Sequence, residues 1–186
     1  LVEDLFLIEN LADPSFESPA VPIDLREAIA REVDLARKRL GSDKKKLAFA
    51  LDVDGGSAPI VAAEPYLIQR LVRNALDNAC GFAKRKVTVS VRAIGDELFE
   101  LVVADDGPGF SAEGLASFGK KQSSRFYDAT QSNRVSLGLG SLIMTRIARY
   151  YGGELLAENI HKSPKRVTGA RVRIRLRSKA TARTHS

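Results

Sequence analysis

Residues 101–110, Leu-Val-Val-Ala-Asp-Asp-Gly-Pro-Gly-Phe, constrain the chain more tightly than any other stretch. Leu101 to Ala104 is an apolar run of the kind that ends a buried strand. It runs directly into two carboxylates, Asp105 and Asp106, and then into Gly107-Pro108-Gly109. Glycine permits positive φ and close backbone approach, and proline fixes φ, so the chain must turn here. The fold therefore has to bring a core strand to an end with a carboxylate held beside a glycine-walled turn. That carboxylate is a ready acceptor for a ligand amine. A tight turn with two solvated acids fits the same ten residues, and the rest of the chain decides between the two.

The chain has 186 residues, enough for one domain with a substantial core. No apolar run approaches the ~18 residues that a bilayer span requires. The opening Leu1-Val2-Glu3-Asp4 has no basic n-region of the secretory kind. A single cysteine, Cys80, excludes an intramolecular disulfide and fits a reducing compartment. The net charge of +6 favours a polyanion, and a phosphate-bearing ligand meets that as well as nucleic acid does. His161 and His185 are far apart and there is no Cys/His cluster for zinc.

Residues 1–12 carry Leu1, Leu5, Ile8 and Leu11 at helical spacing, as the tail of a longer helix would. Residues 13–22, with three prolines and no periodicity, read as a linker. Asp24-Leu25-Arg26-Glu27 resembles a capping box ahead of an amphipathic helix over 25–40. Residues 46–53 alternate as a half-buried strand, and 59–63 give a short second one. Glu64-Pro65 opens a helix with a broad apolar face running to Phe82. Asn74 and Asn78 stack one turn apart on it. Either alone is an ordinary solvent-facing position; as a pair they offer two amide oxygens to a hard cation.

Val87, Val89 and Val91 and then Leu98 to Ala104 form a hairpin into the glycine turn. Residues 111–135 are the least patterned stretch, with Lys120, Lys121, Arg125 and Arg134 giving cationic reach; so long a loop reads as a lid or binding loop. Gly138-Leu139-Gly140-Ser141 then opens a helix whose free N–H groups and positive dipole end suit phosphate. Two strands finish the domain. In the second, Arg171, Arg173, Arg175 and Arg177 alternate with apolar residues and read as the solvated basic face of an edge strand. Residues 178–186 read as a disordered tail.

Three pieces in fixed order carry a resemblance: Asn74-Ala75-Leu76-Asp77-Asn78-Ala79 on a helix, the Asp105-to-Phe110 turn, and Gly138-Leu139-Gly140 at a helix start. Together they resemble the ATP-binding catalytic domain of sensor histidine kinases, in the GHKL superfamily shared with gyrase, the heat-shock chaperone and MutL. The resemblance covers about residues 22–177. It implies a two-layer α/β sandwich, a mixed and mostly antiparallel sheet with three helices on one face. It implies ATP and Mg2+ as ligands, with Asn78 on magnesium and Asn74 in the same phosphate site. Asp105 is then the acceptor for the adenine amino group. Gly107 and Gly109 let the base approach, and the amides of Gly138, Leu139 and Gly140 meet phosphate, with the loop cations nearby.

In the superfamily's hydrolytic branches a glutamate stands four residues before the magnesium asparagine as general base. Here that place holds Asn74, which cannot accept a proton at neutral pH. The expected reaction is transfer of the γ-phosphate to a histidine on a separate helical dimerisation domain, for relay to a response regulator. Neither His161 nor His185 has the expected surroundings of that acceptor. Residues 1–12 are expected to be the end of the helical domain, 13–22 a linker, and 23–177 the catalytic domain. The parent is expected to be a homodimer working in the cytoplasm, membrane-attached only through other segments, with no nucleic-acid partner. The alternatives are a hydrolytic ATPase or a non-catalytic nucleotide sensor of the same fold, and a basic nucleic-acid-binding module. Three departures from the family pattern are visible: Ser136 and Ser141 replace a glycine and a leucine of the second glycine box, and Gly81 stands where a lysine is common.

Overall fold

The computed structural model describes residues 2–41, 47–53, 59–120, 139–164 and 166–177. A five-stranded sheet has the order β2-β4-β5-β7-β6, formed by β2 (Ala48–Val53), β4 (Lys86–Ile94), β5 (Leu98–Asp105), β6 (Glu154–Ser163) and β7 (Arg166–Arg177). Only β2 and β4 run parallel; the other three pairings are antiparallel. A parallel pair needs a long crossover. Here it contains β3 (Ile60–Ala63) and the helix α3 (Pro65–Phe82). The expected mixed, mostly antiparallel sheet is the one observed.

Strand alternation sorts the sheet into two faces. Val87, Val89 and Val91, Leu101 and Val103, and Val172, Ile174 and Leu176 are all buried in one core cluster. Against them lie α2 (Leu25–Gly41), α3 and α5 (Leu139–Tyr150), with α3 packed against both other helices. The inward stripe of α3, from Leu67 through Leu71, Ala75 and Ala79, is buried as its periodicity predicts. Asp24 caps α2: its Oδ1 accepts from the Arg26 N–H at 2.8 Å. Tyr151 ties the end of α5 to the start of α3, its hydroxyl accepting from the Glu64 N–H at 2.9 Å. Burial pushes that phenol up to about 12.

Three expectations are corrected. The linker expected over 13–22 runs into a strand, β1 (Val21–Asp24), paired antiparallel with β3. At four residues with a proline in the middle, β1 is too short to show alternation. The stretch from 111 is not featureless: α4 (Ala112–Ser117) begins at once, with Ser111 Oγ accepting from the Gly114 N–H. And β7 is not an edge strand, since β5 and β6 pair with its two sides. Its arginines are not a bare basic face either. Arg171 pairs with Glu158, Arg173 and Arg175 with Glu100, and Arg177 with Glu97. The short helix α1 (Val2–Asn10) lies on α5, with Leu7, Ile8 and the following Leu11 buried and Asp4 ion-paired to Arg70.

Candidate functional site

The site is built on one stripe of α3. Asn74, Asn78 and Phe82 follow one another at four-residue spacing, so they lie along one side of the helix, about 6 Å of axial rise per step. At one end of the stripe, Asn74 meets the start of α5. Its Oδ1 lies 2.9 Å from where a side chain on Gly140 would begin. Its Nδ2 donates back to the Arg70 carbonyl at 2.7 Å, which holds the oxygen on the α5 side. At the other end, the Phe82 carbonyl packs on the glycine turn. A Cβ on Gly107 would lie 2.5 Å from it and 2.7 Å from Asp105 Oδ1, so only glycine fits. Asn78 stands between these two contacts, half-buried. Among the described residues its amide makes no hydrogen bond.

The turn itself is held from three sides. Asp105 is 7 % exposed, and its Oδ1 accepts from the Gly107 N–H at 2.8 Å. Asp106 turns the other way: its Oδ1 accepts from the N–H groups of Lys84, Arg85 and Lys86 at 2.8, 2.9 and 3.0 Å. Burial pushes that carboxyl up, but the three N–H bonds outweigh it and hold it below the usual range. The two adjacent acids thus do different work, Asp106 fastening the α3–β4 connection while Asp105 faces the turn. Gly109 has φ +81°, and a Cβ there would strike Val167 and Asn159. Asn159 clamps the next residue, Phe110, through both its N–H and its C=O. Its Oδ1 accepts from Phe110 N–H at 2.7 Å, and its Nδ2 donates to Phe110 O at 3.0 Å.

Phe110 meets Phe118 edge-on at 5.1 Å, closing the turn over the end of α4. Lys120 is exposed just beyond it. Leu139 and Gly140 are half-buried at the start of α5. Lys121, Arg125, Arg134 and Gly138, as well as Ser136 and the tail at 178–186, lie outside the described residues. The described site residues are therefore brought together along α3, at its contacts with the glycine turn and with the α5 start, on either side of Asn78.

Two residues outside the sequence motifs, Asn159 and Gly169, also shape the site. Asn159 sits in a stretch of β6 with no regular alternation and gives no local signal. Gly169 does: a glycine inside a strand marks close backbone approach. A Cβ there would lie 1.9 Å from the Asp105 carbonyl oxygen, so Gly169 lets β7 run tightly beside the end of β5.

The chemistry of this arrangement suits a nucleotide with a divalent cation. Among the described residues no group of three or more His, Cys, Asp or Glu side chains could hold a metal by itself. Mg2+ does not need one, because it is commonly held through one or two protein oxygens and the substrate's own phosphates. Asn78, with an amide oxygen unclaimed among the described residues, fits that role.

Residues 63–180 match the family described as histidine kinase-, DNA gyrase B-, and HSP90-like ATPase, well over half of the chain. Among curated proteins, the sensor protein ChvG of Rhizobium meliloti (strain 1021) is 29% identical over 180 residues, 92% of this chain and 30% of its own length. Sensor protein QseC of Escherichia coli (strain K12) is 37% identical over 89 residues, 48% of this chain and 18% of its own. The chain thus spans less than a third of either relative. Among solved structures, the mycobacterial sensor histidine kinase MprB superposes with a TM-score of 0.69 at 24% identity, covering 87% of this chain and 100% of that one. Full-length ShkA in complex with AMPPNP superposes at 0.74 and 21% identity, covering 97% of this chain and 36% of that one.

Proposed function

The chain belongs to the histidine kinase-, DNA gyrase B-, and HSP90-like ATPase family, and from that premise we propose that it is the Mg-ATP-binding catalytic domain of a two-component sensor histidine kinase. The observation that carries the reading is the α3 stripe, with Asn78 between a glycine turn that holds a buried carboxylate and a helix start opened by Gly140. The base enters at the turn, where Asp105 accepts from its amino group, while Gly107 and Gly109 let the turn close tightly on the Phe82 carbonyl, Val167 and Asn159. The phosphates lie toward the α5 start, where the helix N-terminus and its dipole favour negative charge. Asn78 supplies a protein oxygen to Mg2+, which when bound neutralises the phosphate charge.

Asn74 separates this chain from a hydrolase. An amide oxygen pointed at the α5 start can hold a position but cannot take a proton from water. The γ-phosphate therefore passes to a positioned acceptor rather than to water, with catalysis by placement and charge neutralisation. The acceptor is a histidine on a helical dimerisation domain of the parent, to which residues 1–12 lead. From there the phosphoryl group goes to a response regulator. The parent is a homodimer with this domain in the cytoplasm, attached to the membrane only through other segments. Among the described residues no helix is long and apolar enough to cross a membrane.

Calorimetric titration with ATP, with and without magnesium, tests the binding half of this reading. Saturable one-to-one binding that strengthens with magnesium supports it; no binding in either condition refutes it.

A further inference from the structure

A cavity of about 420 Å3 opens at the opposite end of α3 from the glycine turn, between β1 and the first turns of α2 and α3. Its size falls within the range of small-ligand pockets. Its charged lining is Asp24, Glu27, Arg31 and Glu32, three acids to one base in a chain of net charge +6. Two of the acids have local reasons to be there. Asp24 caps α2, and Glu27 lies in the first helical turn, where an acid complements the dipole.

Glu32 has no such reason. It lies two turns into α2, beyond the reach of the helix end, and is 2 % exposed. Its Oε1 accepts from Gln69 Nε2 at 3.1 Å, a neutral donor. Its Oε2 is buried with no hydrogen-bond partner. Arg31 is exposed and forms no ion pair among the described residues. A carboxylate out of water with one neutral donor is a costly arrangement unless a cation completes it. The other walls are apolar: Ile23 and Ile68, with Val21 and Tyr66 both 45% exposed at the surface. Tyr66 also offers the aromatic surface on which a guanidinium stacks.

We propose that this cavity is a binding site for a guanidinium or primary ammonium group carried on an aliphatic stem, with Glu32 as its counter-charge and the apolar wall as the seat of the stem. The same chemistry is presented by a free alkyl cation and by an arginine or lysine side chain. The inference does not depend on the nucleotide reading, since no residue of that site lines this cavity.

Two-dimensional amide NMR of the whole chain tests it. Titration with n-butylguanidinium should shift resonances around Glu32, Ile68 and Gln69 in a saturable one-to-one manner, while its neutral isostere n-butylurea should bind at least tenfold more weakly. Glu32→Gln keeps the size of the side chain and should weaken the cation at least tenfold. Should that variant unfold, Ala28→Leu, which fills the cavity without altering charge, should abolish the shifts. A five-residue peptide with one central arginine separates the sources. Binding more than tenfold tighter than n-butylguanidinium indicates a protein side chain, and equal or weaker binding indicates a free cation. Equal affinity for the urea, shifts spread over the whole surface, or indifference to both substitutions would overturn the proposal.

Discussion

Asp105 and Asp106 are neighbours in sequence with opposite surroundings, and single substitutions should separate them. Asp105 accepts from the Gly107 N–H and stands at the turn where the base is proposed to enter. Asp105→Asn should weaken ATP by about 1.5–3 kcal/mol, the scale of a hydrogen bond to a charged group, and leave the fold intact. Calorimetry together with a thermal unfolding curve checks both halves. Asp106→Asn should do the reverse, because its three N–H bonds hold the chain before β4: lower stability, with ATP affinity little changed in the folded protein. Asn78→Ala should weaken Mg-ATP far more than metal-free ADP. Equal losses for the two ligands would make Asn78 a structural residue rather than a magnesium ligand.

At the scale of elements, the glycine turn and the outer face of the sheet are the parts most open to test. Gly109→Ala forces a β-carbon onto a left-handed backbone and into Val167 and Asn159. The conformation alone should cost about 1–2 kcal/mol in chemical denaturation, with the clash added to it. On the outer face, Glu100 is 4 % exposed beneath Arg173 and Arg175. Burial pushes its carboxyl up, but the two arginines outweigh that and hold it below its ordinary 4.5. A carboxyl lowered in the folded state contributes stability that is present above about pH 4.5 and lost as pH falls through the folded value. Glu100→Gln should therefore destabilise the domain at neutral pH, and the gap to the parent protein should close as the pH is lowered below about 4. A gap that stays constant down to about pH 2 would show that the arginines do not select the ionised form.

These elements also show what local pattern can and cannot tell. α3 was legible because eight of its residues are buried at helical spacing and Pro65 marks its start. The hairpin of β4 and β5 was legible for the matching reason at period two. Strand order is not a local property, and so β7 passed for an edge strand: nothing in alternating arginines says that β6 returns to cover them with Glu154 and Glu158. Asn159 was silent for the same reason, since its partner Phe110 is 49 residues away. The three motifs were legible because each is short and rich in glycine or asparagine. That α3 gathers them, by Asn74 against Gly140 and Phe82 against Gly107, needed the packed structure.

The whole molecule, on this reading, is a phosphate donor that neither consumes ATP rapidly nor phosphorylates itself. His161 lies on β6, an edge strand on the sheet's far side from the parallel pair, and its neighbour Lys162 is exposed and basic. Nothing there resembles a prepared acceptor, and Asn74 withholds the base that water would need. The most direct measurement is label transfer from γ-labelled ATP with magnesium, using the chain alone and then with its parent's histidine-bearing helical domain added. Little hydrolysis and no acid-labile label are expected on the chain alone. With the helical domain present, label should appear on that domain's histidine, at a rate rising with concentration because the two are added as separate molecules. Label trapped on His161, or brisk turnover of ATP by the isolated chain, would contradict the assignment.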